Sequence, residues 1–445
     1  MIRIKRFSCN LEFTNFSTMR NRLRASQCFS FCCLLLITNI SLAQVINTAN
    51  KLHPGVDMQR LARIDELVNS YISKQWLTGA VTLVIKDNQL IQYKGYGLAD
   101  ITTGKKMENN AIFRIMSQTK AITSAGILIL YEQGKLLLDE PIANYIPAFK
   151  NPVVLDKFNK ADSTYTTVPA KREITFRDLL THTSGIDYAD IGSPEMKAIY
   201  AKAGVPSGLG LFKTSLLEKM NVLAKLPLKA QPGEKFIYGL NTDLLGCLIE
   251  VISESTLDAF FSKNIFEPLG MTDTYFNVPG QKASRLAGVY TEDAERKIIK
   301  WSPTFRNINP DYPLMNTTYF SGGAGLSSTA FDYAIFLQTL LNGGKYNGYQ
   351  LLAPRTVQIM TSGQLDFKLN PDEDNFGLGL QITSEKSAAK KSRNKGSFAW
   401  GGYYGTTYWA DPKAGLVCLF LTQHTPNSHG DIVTRFENIV YSSLK

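Results

Sequence analysis

The sequence predicts an α/β fold in which strands from both ends of the chain form one antiparallel sheet flanked by helices. Strand-like patterns concentrate in residues 79–96 and 376–422, whereas the region between them has the patterns of loops and helices. Strands, then helices, then strands again favour one shared sheet with a helical segment inserted between its halves. We therefore expect an α/β subdomain over residues 56–112 and 323–444 and a mostly helical insertion over residues 113–322.

The N-terminal residues have the features of a cleavable secretory signal peptide. Residues 19–24 are basic, residues 29–42 are mostly apolar, and Ser41-Leu-Ala43 ends in a small residue suited to cleavage. An apolar run of about fourteen residues is short for a membrane span of roughly twenty. We expect cleavage of residues 1–43, with Met19 as a possible true start. The protein would then be periplasmic or secreted, without a stable membrane anchor.

Charge and cysteine content exclude several classes of function. The 445-residue chain has a formal net charge of +10, but residues 1–43 hold six of its 48 basic and one of its 38 acidic residues, which leaves +5. Outside residues 386–395 there is no basic stripe interleaved with aromatic residues, so we expect no nucleic-acid partner. Two cysteines lie beyond the signal peptide, Cys247 and Cys418. Both occur in apolar runs, which predicts two buried free thiols.

Hydrophobic periodicity assigns the elements that follow a linker at residues 44–55. Residues 56–74 have helical spacing, and residues 79–86 and 89–96 form a hairpin pattern. Further helices are expected over residues 117–133, 176–182, 211–224, 242–255, 257–265, 328–341 and 431–443, with Ser328 as the N-cap of its helix. Further strands are expected over residues 376–382, 397–410 and 415–422.

The first candidate for a catalytic group lies where an apolar helix begins. Ser117 is expected to cap this helix, and Lys120 follows at position i+3, so both side chains project from the first turn. A lysine amine can take the proton of a serine hydroxyl and so activate it as a nucleophile. The same Ser-x-x-Lys pattern begins at Ser387, Ser392 and Ser442. There a solvated basic loop or a frayed C-terminus is the simpler interpretation.

Two further segments could complete such a site. Pro232-Gly233 forces a turn shortly before Tyr238, whose phenol could relay protons beside a serine. Trp400-Gly401-Gly402 lies in a strand, where glycines allow a ligand or another backbone to approach closely. In isolation, Tyr238 is more simply explained as a tyrosine at a helix start, and Gly401-Gly402 as a kink in a strand.

Little in the sequence supports a catalytic centre of another kind. No Gly-x-Ser-x-Gly nucleophile elbow occurs, and the four histidines lack the spacing of metal ligands. His182 is expected to be structural because Thr-His-Thr-Ser-Gly is typical of a helix end. Asp431 and Glu437 are expected on the solvated face of the closing helix.

In chain order, Ser117-x-x-Lys120, the turn with Tyr238 and the Gly-Gly strand resemble the serine β-lactamase and D,D-peptidase superfamily. The chain is most similar to its class C β-lactamase-related branch, which includes carboxylesterases of the family VIII type. The resemblance covers residues 56–444 and implies a β-lactamase/D,D-peptidase-like fold. It extends to four other stretches: Leu179–Ile186, Glu267–Asp273, Ser321–Ser328 and Asp411-Pro412.

The resemblance implies an acyl-enzyme mechanism without a metal or cofactor. Ser117 would be the nucleophile, Lys120 its base and Tyr238 the partner that shuttles protons. The backbone N–H groups of Ser117 and Tyr403 would form the oxyanion hole. Substrate-binding residues implied by the same motifs are Gln118, Leu240, Trp400, Gly401 and Gly402.

Two departures from the family pattern bear on the substrate. Members that process β-lactams usually carry Tyr-x-Asn, whereas here Leu240 stands two residues after Tyr238 and Asn241 follows one position later. They also carry Lys-Thr-Gly or a close variant, whereas Trp400 occupies the lysine position. An asparagine amide would bind a substrate amide, and a lysine would attract a carboxylate. We therefore expect an uncharged small-molecule ester as substrate.

Two alternatives stay open at this level. The protein could be a β-lactamase or a D-amino-acid peptidase, whose substrate is an amide. It could also be a penicillin- or muropeptide-binding protein that is acylated slowly and does not turn over, because the two substrate-anchoring positions are changed while Ser117, Lys120 and Tyr238 are present. The sequence does not determine the oligomeric state.

Overall fold

The two ends of the chain meet in one antiparallel sheet. The computed structural model describes residues 45–49, 52–206, 208–209, 214–305 and 308–445. Its strands are β1 (Gly79–Lys86), β2 (Gln89–Asp100), β3 (Lys105–Lys106), β4 (Phe113–Arg114), β5 (Val153–Phe158), β6 (Tyr165–Pro169), β7 (Tyr290–Glu292), β8 (Ile298–Lys300), β9 (Ser327–Ser328), β10 (Lys345–Tyr346), β11 (Tyr349–Gln350), β12 (Asn375–Phe376), β13 (Gln381–Ile382), β14 (Phe398–Gly401), β15 (Thr407–Asp411) and β16 (Leu416–Leu421). The main sheet has the order β12-β13-β14-β15-β16-β1-β2-β3.

Helices cover both faces of this sheet. The α-helices are α1 (Met58–Leu61), α2 (Arg63–Ser73), α3 (Thr119–Glu132), α4 (Phe176–Leu180), α5 (Pro194–Ala203), α6 (Leu216–Leu223), α7 (Asn241–Ser253), α8 (Leu257–Phe261), α9 (Glu267–Leu269), α10 (Ala330–Leu341), α11 (Pro354–Met360), α12 (Glu385–Ala388) and α13 (Ile432–Ser442). On one face, Ile64 of α2 and Phe436 of α13 share a buried cluster with Val84. On the other, α3 and α10 belong to the larger core that contains Val81 and Leu83.

The predicted α/β sheet with strands from both ends of the chain is confirmed. β1 pairs with β16, with Val81 opposite Leu421, and also forms the predicted hairpin with β2. Successive residues of β1 point to opposite faces, so Val81 and Leu83 enter one core and Val84 enters the other. Because both faces are covered, the strand is apolar almost throughout rather than alternating with polar residues.

Two predicted strands are wrong because each is a pair of shorter strands. Residues 376–382 form β12 and β13 around a turn at Gly379, whose φ of +85° lies in the left-handed region that favours glycine. Residues 397–410 form the hairpin β14–β15, which turns at Gly405 with φ +88°. Apolar residues continue through both turns, so hydrophobicity alone does not mark the break.

Three predicted helix starts are also shifted. Ser117 does not cap α3 but lies in a 3₁₀ turn over Met116–Gln118, and α3 begins at Thr119. Thr329 caps α10 by accepting a hydrogen bond from Asp332 N, because Ser328 belongs to β9 and pairs with β4. The helix expected over residues 211–224 begins at Leu216, and residues 210–213 lie outside the described ranges.

The inserted region contains strands as well as helices. The hairpins β5–β6 and β7–β8 lie within it and were not predicted. Every residue of β6 is exposed, so this strand lacks the apolar alternation from which half-buried strands are recognised.

Several single-residue predictions can be compared directly with the structure. Cys247 and Cys418 are buried free thiols, as predicted, and burial raises the pKa of Cys247 to about 12. Asp431 is exposed at the N-terminal end of α13, where it pairs with Arg435. The prediction is wrong for Glu437, which is buried because its carboxylate pairs with the Arg393 guanidinium at 2.8 Å.

The described residues between 45 and 445 form one compact unit. The signal-peptide prediction falls on residues 1–43, which lie outside the described residues, and it stays a prediction. Within the described ranges, no helix has the length and apolar character needed to span a membrane.

Candidate active site

Ser117 lies in a tight turn held from two sides. On one side, β4 leads into the turn, and Ile115 N donates to Leu326 O at 3.0 Å. On the other, the end of β14 presses against it, since a Cβ atom at Gly402 would lie 2.4 Å from Ile115 O. Met116 adopts φ +50°, an unfavourable conformation for a residue with a side chain. The packing on both sides therefore keeps the serine in a strained and defined position.

The Ser117 hydroxyl meets two of the predicted catalytic groups. Tyr238 OH donates to Ser117 Oγ at 2.6 Å, and Lys120 Nζ donates to the same oxygen at 3.2 Å. Lys120 Nζ also lies 4.6 Å from the centre of the Tyr238 ring. The structure thus brings the three side chains together, although Tyr238 is 121 residues from Ser117 in the chain.

Lys120 is almost fully buried and each of its three protons has an acceptor. Besides Ser117 Oγ, Nζ donates to Tyr188 OH at 3.0 Å and to Gly323 O at 2.8 Å. An ammonium group has three donors, so this environment fixes the amine in one orientation. Gly323 must be small, because a Cβ atom there would lie 2.6 Å from Asp243 Oδ2 and 3.5 Å from Lys120 Nζ.

Tyr188 was not identified from the sequence as a member of this site. It is buried, and its ring centre lies 5.4 Å from that of Tyr238. Burial, reinforced by the neighbouring Tyr238, raises its pKa well above the usual value, so Tyr188 is a neutral phenol at physiological pH. The only sequence feature that could have identified Tyr188 is its position two residues after Leu179–Ile186, a stretch that resembles the family.

Two buried titratable groups, His182 and Asp243, lie close to the Ser117, Lys120 and Tyr238 cluster. The His182 ring lies 4.8 Å from the Tyr238 ring and its Nδ1 is 2.9 Å from Asn241 Nδ2. Burial, and then the charge of Lys120, holds the pKa of His182 well below its usual value, so the ring is neutral. Burial raises the pKa of Asp243 to about 6, although the charge of Lys120 opposes this shift. His182 follows the end of α4, as the sequence predicts.

A cleft of about 500 Å³ opens beside Ser117. Tyr238 and the third predicted segment line it, including Trp400, Gly401, Gly402 and Tyr403. Trp400 Nε1 donates to Tyr238 OH at 3.4 Å, so the indole directly contacts the cluster of Ser117, Lys120 and Tyr238. The cleft is large enough for a small-molecule substrate.

Two predicted substrate-binding residues lie elsewhere. Leu240 is fully buried in the main core, immediately before α7, and does not line the cleft. Gln118 is also fully buried, and its amide has no hydrogen-bond partner within the described ranges. Each closely follows a predicted catalytic residue, but neighbouring side chains in a helical turn point to different faces. Neither side chain is therefore placed to contact a substrate in this cleft.

The other Ser-x-x-Lys copies do not form comparable sites. Ser387 is buried in the short helix α12 rather than solvated, and the nearby Lys390 and Lys391 pair with Asp372. Ser442 Oγ donates to Ile439 O within α13. Within the described ranges, no group of three or more potential metal ligands could hold an ion.

Comparison with known proteins identifies the family. The family model named Beta-lactamase matches residues 63–439. The chain belongs to the beta-lactamase family. The sheet built from both chain ends is the sheet of the β-lactamase fold, and Ser117, Lys120 and Tyr238 lie within the matched range.

Relatives of this beta-lactamase-family protein have several activities. A putative D-alanyl-D-alanine carboxypeptidase of Escherichia coli K12 is 28% identical over 84% of both chains. Esterase EstB of Burkholderia gladioli is 27% identical over 81% of this chain and 90% of its own. The solved structure of EstCE1, a hydrolase with promiscuous acyltransferase activity, is 26% identical with a TM-score of 0.74 and covers 86% of this chain and 99% of its own. The protein is thus a serine hydrolase of this family, similar to its esterase-like members.

Proposed function

We propose that this protein is an exported carboxylesterase that hydrolyses small uncharged esters through an acyl-enzyme on Ser117. The observation that carries the proposal is the cluster in which Lys120 Nζ and Tyr238 OH both contact Ser117 Oγ, in a cleft where Trp400 stands in place of a cation. Export rests on the signal peptide predicted in residues 1–43. The similarity to EstB and EstCE1 supports ester chemistry.

The proposed reaction proceeds in two halves. When Lys120 or Tyr238 is in its basic form, its hydrogen bond to Ser117 reverses and it takes the serine proton. Ser117 Oγ then bonds to the acyl carbon, and the alcohol leaves with that proton. In the second half a water molecule attacks the acyl carbon, the acid departs and Ser117 regains its proton. The N–H groups of Ser117 and Tyr403 would stabilise the negative oxygen in both halves.

The surroundings of the cluster favour an ester over a β-lactam or a peptide. Trp400 offers an apolar ring and one donor at the position from which a lysine would attract a carboxylate. Asn241, the asparagine nearest to Tyr238, is fully buried and its amide is used by Ser184 and His182. It is therefore not placed to hold a substrate amide.

The test is hydrolysis of p-nitrophenyl acetate by the purified protein. Ser117→Ala removes the nucleophile, so we expect activity to fall to the rate of the uncatalysed reaction. Ser442→Ala is the matched control, since Ser442 begins another Ser-x-x-Lys pattern and lies on the exposed surface of α13. It should keep full activity. Substantial activity in folded Ser117→Ala protein would refute the assignment.

The two alternatives predict different results in the same assay series. A β-lactamase or D-amino-acid peptidase would turn over nitrocefin or release D-alanine from a stem peptide more efficiently than it hydrolyses the acetate ester. A non-turnover binding protein would be labelled stoichiometrically at Ser117 by fluorescent penicillin without product release.

A further inference from the structure

Asp243 is a buried carboxylate beside the candidate active site that the mechanism proposed above does not use. It is 1% exposed and lies in the first turn of α7, five residues after Tyr238. Its Oδ1 atom has no hydrogen-bond partner among the described residues. A buried carboxylate is costly unless donors or a nearby cation stabilise its charge. The surroundings of Asp243 should therefore contain a positive group.

Lys120 presents the complementary problem, because it is a buried amine whose hydrogen-bond acceptors are all neutral. Nζ donates to the hydroxyl oxygens of Ser117 and Tyr188 and to the carbonyl oxygen of Gly323. None of these three acceptors carries a negative charge to offset the burial of an ammonium group. The protonated amine therefore depends on a carboxylate beyond these three acceptors.

Gly323 is the residue at which the two charged groups approach each other. A Cβ atom at Gly323 would lie 2.6 Å from Asp243 Oδ2 and 3.5 Å from Lys120 Nζ. The carboxylate and the amine thus face the same small space, and their separation cannot exceed the sum of these two distances. Because Gly323 has no side chain, the space between the two groups stays free of one. Opposite charges interact strongly at such a range in a buried site, where little water screens them.

The other titratable groups around the amine are the phenols Tyr188 and Tyr238 and the His182 ring. The pKa of Tyr188 is raised by burial first, then by Tyr238 and Asp243, and less by the exposed Asp190. Tyr188 and His182 are both neutral at physiological pH. Asp243 is therefore a buried negative group that acts on the side chains around Lys120.

The groups around the carboxylate are mostly neutral as well. Burial, and then the charge of Asp243, raises the pKa of Tyr319 well above its usual value. The titratable groups of α7 that also act on Tyr319 are Cys247 and Glu250. Burial raises the pKa of Asp243 to about 6, and Ser321 and then Lys120 oppose this shift. The carboxylate is thus mostly ionised above about pH 7, with Lys120 as its positive neighbour.

We propose that Asp243 is a positioning residue of the acyl transfer, whose carboxylate is the charge partner that keeps the Lys120 amine protonated between turnovers. The proposal rests on the esterase function proposed above. A negative charge favours the protonated form of every base near it. Asp243 therefore sets the lowest pH at which Lys120 or Tyr238 can take the proton of Ser117.

The test is the pH dependence of p-nitrophenyl acetate hydrolysis by Asp243→Asn, which keeps the shape of the side chain and removes its charge. The acidic limb of kcat/KM reports the essential base of the free enzyme. We expect this limb to move to lower pH by roughly 1–2 units, the size of shift caused by an opposite charge within about 4–6 Å. Asp332→Asn is the matched control, because burial also raises the pKa of Asp332 to about 6 but its charged neighbours are Asp273 and Lys282. Its acidic limb should stay in place.

A purely structural role for Asp243 gives a different result. Asp243→Asn would then lose activity at every pH with its acidic limb unmoved, and the proposal would be overturned. If Asp243→Asn does not fold, the double variant Asp243→Asn/Lys120→Met should fold, because neither charge is then buried alone. Failure of the double variant as well would also overturn the proposal.

Failure of the proposed function is distinguishable from failure of this inference. A wild-type protein that hydrolyses no ester would refute the esterase alone. Urea unfolding would then measure the charge partnership, since Asp243→Asn should lower stability more in the wild type than in the Lys120→Met background. Equal losses in the two backgrounds would show that Asp243 and Lys120 are not coupled.

Discussion

At the residue scale, the site is defined by the two phenols that surround Lys120. Tyr188 and Tyr238 both contact the amine, one through its hydroxyl and the other through its ring face. Only Tyr238 places its hydroxyl on Ser117 Oγ. We therefore propose that Tyr238 transfers protons and that Tyr188 orients Lys120.

This difference gives a matched pair of variants. In Tyr238→Phe, kcat/KM for p-nitrophenyl acetate should fall by about 10² to 10⁴, the range associated with loss of an acid–base group. In Tyr188→Phe, Lys120 loses one of three acceptors, a hydrogen bond from an ammonium group worth about 1.5 kcal/mol, so the rate should fall only by roughly tenfold. Steady-state kinetics of both variants, with folding checked by circular dichroism, measures the difference. Equal losses would contradict the division of roles.

At the element scale, the start of helix α10 shows how a buried carboxylate affects stability. Asp332 lies in the first turn of α10 and links the helix to an earlier segment. Its carboxylate accepts hydrogen bonds from Asp273 N at 2.6 Å and from Thr274 Oγ1 at 3.1 Å. Burial raises its pKa to about 6, the carboxylate of Asp273 adds to this shift, and Lys282 opposes it. The folded protein therefore binds this proton more tightly than the unfolded chain does.

The sign of the resulting pH dependence follows directly. Asp332 contributes stability that is fully present below its usual pKa of 3.8 and is lost as the pH rises through about 6. Between pH 5 and pH 8, wild type should lose roughly 1.4 kcal/mol of unfolding free energy that Asp332→Asn does not lose. Urea unfolding at both pH values measures this, with the exposed Asp366→Asn as control. An unchanged pH dependence in Asp332→Asn would show that the carboxylate is ionised throughout this range.

At the scale of the whole molecule, the two ends of the chain depend on each other. β1 near the start pairs with β16 near the end, and α2 and α13 share one buried cluster beneath them. Phe436 of α13 is fully buried, with its ring centre 5.6 Å from that of Trp409 and 5.5 Å from that of Phe420. The closing helix α13 therefore stabilises strands of the sheet that lines one end of the candidate active-site cleft.

This dependence predicts a large effect far from Ser117. Phe436→Ala should lower the free energy of unfolding by about 3–5 kcal/mol, because it leaves a cavity in a close-packed core. Arg435→Ala is the control on the same helix, since its side chain is exposed and its solvent-screened ion pair with Asp431 contributes little to stability. Denaturant unfolding measures both. A small loss in Phe436→Ala would indicate that α13 is not integral to the fold.

The comparison of sequence and structure separates two kinds of information. Local patterns predicted the hairpin β1–β2, the closing helix and the membership of Ser117, Lys120 and Tyr238 in one constellation. They failed at Gly379 and Gly405, where the chain reverses without a change in hydrophobicity. They also failed for Glu437, whose burial depends on Arg393, a partner from a different element.

The sequence by itself determined the family, the sheet built from both chain ends and the three side chains that meet at Ser117, because short motifs and apolar periodicity are local properties of the chain. Only the tertiary structure decided that Tyr188 contacts Lys120 and that Leu240 and Gln118 turn into the core. Each of these depends on how distant segments pack. The local sequence around a residue does not show which distant residues become its neighbours in space.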